Sequence, residues 1–194
     1  MQTKPLGDFI MITIDISKPR RNIALKALLL TAGLASGAVS LAHPELENFE
    51  MTVVKDAAFG RKVMDGELDA AIRSIETSTT RPAQEFFAQN NLCVAYTKSG
   101  QFGDAAKACD AAIAKTLSGR QLKAAENAPA ERRYAAIALS NRGVLRALMG
   151  KKTGAEADFS AAVGLKARVG APKRNLEYLQ ARADGAVTLL QTDQ

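Results

Sequence analysis

Cysteines Cys93 and Cys109 and the single histidine His43 are the side chains best suited to metal or nucleophilic chemistry, and they are few. A tetrahedral zinc site normally takes three or four Cys or His ligands, so these three residues could build one only with help from carboxylates. An N-terminal His43 could chelate copper through its amine and ring, but such a site needs a second histidine and the chain has none. A Ser/His/Asp constellation cannot be assembled around a histidine that lies far from any helical pattern. Carboxylates crowd together at Asp65, Glu67 and Asp69, where a turn and a helix start explain them through the helix dipole. The glycines stand singly rather than in a phosphate-cradling loop. No catalytic residue, metal ligand or cofactor is therefore assigned, and the chain is read as a non-enzyme. The two cysteines are too far apart for a C-x-x-C redox motif. Two readings of them stay open: a disulfide, or two buried thiols acting as small apolar residues.

The first 42 residues read as a targeting segment. Lys18, Arg20, Arg21 and Lys26 form a basic lead-in, and Ala27 to Ala42 is a run without a charge. That run suits a secretory leader and falls short of the roughly 20 residues needed to span a bilayer. Ser40 and Ala42 supply a small-x-small cleavage pattern, so His43 becomes the mature N-terminus and the protein is expected to be periplasmic or secreted. Met11 is favoured over Met1 as the start. Membrane contact is then limited to the transient leader. Five of the 26 basic residues and two of the 20 acidic ones lie in residues 1–42, which leaves residues 43–194 a net charge of +3. The pI near 9.4 belongs largely to the leader, and a nucleic-acid partner loses its support.

The elements that must position any site come from a repeat. Gly66 and Gly100 are 34 residues apart, as are Ala71 and Ala105, and Gly150 follows Gly100 by 50. An insertion explains the longer interval. Around each glycine a helix ends and another begins. The helix after Gly100 presents Ala105, Ala108, Cys109, Ala112 and Ile113 on one face. After Gly150, Thr153 and Glu156 predict a capping box on a helix carrying Ala155, Phe159, Ala162 and Val163. Pro129 suits the first turn of a long helix ending at Met149. Pro172 to Gln191 predicts a closing helix with Leu176, Leu179, Ala183, Val187 and Leu190 on one face. Only 5% of residues are aromatic and 36 are alanine, a balance that favours close helix packing over a β-sandwich.

This pattern resembles the tetratricopeptide repeat (TPR), a helix–turn–helix unit of 34 residues. Asn91, Leu92, Cys93, Tyr96, Gly100, Ala105, Cys109 and Ala112 occupy the family's positions, as do Asn141, Gly143, Gly150, Ala155, Phe159 and Ala162 in the next copy. Arg142 and Arg146 depart from it, standing where the family has Leu and an aromatic. The first copy is the most degraded, with Gly66, Leu68, Ala71 and Ile75 in place but Lys62 replacing the aromatic. The implied fold is all-α, a short α-solenoid of about three units plus a C-terminal closing helix. Its parts are a leader over 1–42, a linker over 43–51, a degenerate unit over 52–85 and a unit over 86–119. An insertion over 120–135, a unit over 136–169 and the closing helix over 170–194 complete it. The motif sets Cys93 and Cys109 about one turn out of direct opposition.

For function, the resemblance implies a concave groove that holds a peptide. Its lining would be Phe87, Asn90, Asn91, Val94, Thr97 and Lys98 from one unit, with Ile137, Ser140, Asn141, Val144 and Leu148 from the next. Ile137 and Ser140 stand where a carboxylate clamp would need basic residues, so an apolar or uncharged peptide fits better. The expected function is a non-catalytic TPR-like adaptor or scaffold with a protein or peptide partner. A thiol-based redox or stress-response protein using Cys93 and Cys109 is the alternative. Oligomeric state is not readable from this pattern.

Overall fold

The computed structural model describes residues 11–15, 48–78, 84–116 and 129–192. The leader's basic cluster and apolar run, His43 and the 120–128 part of the insertion lie outside them. Seven helices and two strands are present among the described residues: β1 (Met11–Asp15), β2 (Glu50–Val54), α1 (Gly60–Asp65), α2 (Leu68–Thr77), α3 (Glu85–Lys98), α4 (Phe102–Ala114), α5 (Pro129–Leu148), α6 (Lys152–Gly164) and α7 (Ala171–Thr192). The fold is all-α with one short antiparallel ribbon, β1 against β2.

Three turns show why the glycines stand where they do. Gly66, Gly100 and Gly150 have φ of 82°, 76° and 74°, the left-handed conformation that only glycine adopts without steric cost. Each lets the chain reverse, so that α3 packs on α4 and α5 on α6. Small residues line these contacts. Ala105, Ala108 and Ala112 are buried in α4, and Ala155 and Ala162 in α6. Gly143 in α5 lies directly under Phe159 of α6; a Cβ there would sit 2.5 Å from the ring. At the same level between α3 and α4, fifty residues earlier, Cys93 and Cys109 are joined by a disulfide with Cα atoms 4.8 Å apart. The two cysteines thus face each other directly rather than one turn apart.

Several expectations are corrected. The boundary expected between residues 51 and 52 falls inside an element. Glu50–Val54 is a strand, and the first helix is only the six residues Gly60–Asp65. The run Met51-Thr52-Val53-Val54 is rich in β-branched residues, which suit a pleated, buried strand. Thr153 caps nothing: α6 starts earlier, and no side chain caps it. Of the residues that α6 carries, Ala155, Phe159 and Ala162 are buried and Val163 is 39% exposed. Ala183, Val187 and Leu190 of α7 lie outside the residues whose side chains are described, whereas Leu179 is buried and Leu176 packs against the core.

Arg142 and Arg146, the departures from the repeat pattern, serve packing. Asp158 of α6 is buried, and its carboxylate accepts from Arg142 Nε and Nη2 at 2.9 and 2.8 Å. Arg146 Nη1 lies 2.9 Å from the same group. Arg142 Nη1 also reaches Asp110 of α4 at 2.8 Å, so one guanidinium ties α4, α5 and α6 together. The hydrogen bond to Asp158 is the main reason that the Arg142 pKa is raised further, against the opposing effect of burial.

Candidate functional site

An asparagine side chain carries the two groups of a peptide bond, a carbonyl acceptor and an N–H donor, at its tip. Set beside an extended chain, it can pair with the N–H and C=O of one residue as a neighbouring strand would. Three asparagines do this along β2. Asn175 Oδ1 accepts from the Glu50 N–H at 2.8 Å, and Asn175 Nδ2 donates to the Glu50 carbonyl at 2.8 Å. Asn141 makes the same pair with Thr52 at 2.8 and 2.9 Å. Asn91 makes it with Val54 at 2.9 and 3.0 Å. The period is two residues because alternate residues of a strand turn their backbone groups to the same edge.

Further contacts lock the ladder. Asn90 Nδ2 donates to the Thr52 carbonyl at 3.0 Å, and Asn90 Oδ1 accepts from Asn141 Nδ2 at 2.9 Å. Asn91 Nδ2 also reaches the carbonyls of Ala57 and Ala58 at 2.9 and 3.3 Å. The chain therefore curls around Asn91, through left-handed Ala58 and Phe59 (φ 44° and 56°). Gly60 closes the curl: a Cβ there would lie 2.0 Å from the Val54 carbonyl oxygen. At the other end Arg174 grips the Glu50 carboxylate with two bonds of 2.7 and 2.6 Å. Phe49 stacks on Phe159 and meets Tyr178 edge-on at 4.8 Å between ring centroids.

The residues expected to line a groove are thus largely covered by the chain itself. Asn90, Asn91, Thr97, Ser140 and Asn141 are each 0% exposed, and so are Met51, Val53 and Val54 of the strand. Val94, Val144 and Leu148 share one apolar cluster with Met51 and Val53. Phe87 lies in a second cluster with Phe86 and Val54, meeting Tyr134 edge-on at 5.4 Å. Ile137 is fully buried. Ser140 Oγ accepts from Asn175 Nδ2 at 3.3 Å. Thr97 turns its hydroxyl back onto the Cys93 carbonyl at 2.6 Å, and Lys98 is half-buried at the end of α3. Burying three strand side chains is worth about 1.5–3 kcal/mol each, and six ladder bonds add about 1 kcal/mol each. A free peptide would have to outcompete both.

Asn175 stands outside the groove lining that the repeat pattern predicts, although its signal is present in the sequence. It follows Asn141 by the 34-residue period and is followed by Leu176, as Asn91 is by Leu92. The helix expected merely to close the array supplies the third rung. Among the described residues, no group of three His, Cys, Asp or Glu side chains could hold a metal ion, and no helix is long and apolar enough to cross a membrane.

Both cysteine residues are buried, Cys93 at 1% and Cys109 at 0% exposure. Tyr96, on the α3 face toward α2, donates to Glu76, and its phenol is pushed up to about 12, chiefly by burial and then by that carboxylate. No family model, curated protein or solved structure matches this chain.

Proposed function

We propose that this chain is a non-catalytic protein–protein interaction module, a short TPR-like α-solenoid exported to the cell envelope. Its groove takes hold of an extended segment through that segment's main chain. One observation carries the reading: Asn91, Asn141 and Asn175 pair with every second residue of a strand by peptide-like bonds. Main-chain pairing is the chemistry of strand addition, in which affinity comes from the backbone and specificity from alternate side chains. The apolar lining, without a basic clamp, favours an uncharged guest. Residues 50–54 are the guest in cis, and a partner's segment engages by taking their place.

The test uses the full chain carrying Thr52→Pro, which removes the N–H that Asn141 accepts. A fluorescent peptide of residues 48–58 is expected to bind this variant and not the unsubstituted chain, and Asn141→Ala in the same background should abolish binding. Failure of the Thr52→Pro chain to bind the peptide, with helicity intact, refutes the groove reading. Crosslinking and pull-down from the envelope fraction then identifies the partner, with Asn91→Ala/Asn141→Ala as the control expected to lose it. The redox alternative rests on the disulfide alone, and its burial leaves an attacking thiolate little access. Mass spectrometry of envelope-isolated protein with and without reductant separates the two readings.

A further inference from the structure

β2 has two edges, and the asparagines use only one. The backbone groups of Glu50, Thr52 and Val54 face the ladder, so those of Met51 and Val53 turn to the opposite edge. There β1 lies antiparallel, with Ile12 opposite Val53, Thr13 opposite Thr52 and Ile14 opposite Met51. β1 belongs to residues 1–42, the segment expected to leave with the leader. Its loss would strip the partner from a strand that the ladder and Arg174 hold rigidly in place. An unpaired strand edge is a template for another strand.

We propose that the vacated edge of β2 pairs with β2 of a second copy of this chain, antiparallel about a two-fold axis at Thr52. This goes beyond the groove reading and rests on the export reading alone, through loss of the leader. Two observations favour a second copy as the occupant. First, the central triplet of β1, Ile12-Thr13-Ile14, is matched in kind by Met51-Thr52-Val53. A second β2 would therefore set threonine opposite Thr52 again, flanked by apolar residues. Second, the pairing is self-complementary. Met51 of one copy meets Val53 of the other, and both turn their backbone groups to this edge, as a symmetric interface requires.

The test keeps the full chain and unseats β1 with Ile12→Pro/Ile14→Pro, which deletes the two N–H groups that β1 turns toward β2. Sedimentation at about ten micromolar is expected to give a monomer for the unsubstituted chain and a dimer for this variant. Thr52 faces β1 as a non-hydrogen-bonded pair, with Cα atoms about 4.5 Å apart in such ladders, within disulfide reach. Adding Thr52→Cys to the proline variant should then give a covalent dimer under oxidation. Thr13→Cys/Thr52→Cys without the prolines should lock β1 in cis and stay monomeric. A proline variant that keeps its circular dichroism but stays monomeric overturns the proposal. So does a dimer in which Thr52→Cys fails to crosslink. The peptide assay on Thr52→Pro reads the groove separately, so the two proposals fail independently.

Discussion

Asn141 is the rung on which the ladder most depends, and replacing it with alanine has a calculable cost. The change leaves the Thr52 N–H without an acceptor and Asn90 Oδ1 without its donor. The Thr52 carbonyl keeps its bond from Asn90 at 3.0 Å. Two buried polar groups are thus orphaned at about 1–3 kcal/mol each, so Asn141→Ala should cost about 2–6 kcal/mol. Asn175→Ala strips the equivalent pair from Glu50, but that end of the strand is only partly buried. Water can substitute there, and its cost should be the smaller. Urea denaturation followed at 222 nm measures both, with hydrogen exchange at the Thr52 amide as the local readout. That amide should lose most of its protection in Asn141→Ala while native ellipticity stays the same. Asn141→Asp sharpens the test, because a carboxylate accepts from Thr52 but sets a charge against the Thr52 carbonyl and Asn90 Oδ1. Burial and those oxygens raise the folded-state pKa of the introduced acid, so its stability should fall as pH rises from about 4 toward 7. An Asn141→Ala variant within 0.5 kcal/mol (roughly the scatter of surface substitutions) of the parent, or one cheaper than Asn175→Ala, would refute the ladder as the strand's main hold.

Three contacts elsewhere in the fold set further measurable effects. Gly143→Ala gains roughly 1 kcal/mol of helix propensity but drives a methyl into the Phe159 ring. The net should be a loss of about 1–3 kcal/mol, relieved by Phe159→Leu in the double variant and read by urea midpoints. Because the Tyr96 phenol is pushed up to about 12, its contribution to stability is complete below pH 10 and lost as pH rises to about 12. Titration of phenolate absorbance at 295 nm should show one tyrosine ionising late, and Tyr96→Phe should remove that step. Cys93→Ala/Cys109→Ala opens a link closing 16 residues of chain. It should cost up to about 3 kcal/mol by the loop-entropy estimate, measured as a lowered melting temperature without loss of helicity.

The turns and their partners are legible in the sequence because glycine at a helix end and small residues at helix contacts are local demands that it displays directly. Asn90, Asn91 and Asn141 can be placed together for a related reason, since equivalent positions of two repeat units set them on the first helix of each. What they hold is not legible. Glu50 to Val53 alternates polar and apolar residues for only four positions before Val54 breaks the pattern, too short a stretch for periodicity alone to settle. It becomes a strand because asparagines 37, 89 and 125 residues later meet its backbone. Nothing near residue 52 announces that. Arg142 and Arg146 look like solvent-facing departures, because the buried carboxylate that answers them, Asp158, sits on the next helix. The direct opposition of Cys93 and Cys109 depends on the rotation of α3 against α4, which spacing within either helix does not define.

The strand's reach along the chain also bears on how the protein comes to be folded. In a linear array of helix pairs each unit touches only its neighbours, so units can form and melt one at a time. β2 crosses α3, α5 and α7 in turn, and its last hydrogen bonds join Glu50 to Asn175, 125 residues apart. During synthesis it emerges before every helix that will hold it, and the final rung exists only once the C-terminal helix has been made. The array should accordingly melt as one cooperative unit, and a chain truncated before Asn175 should keep its early helices while leaving its first strand untied.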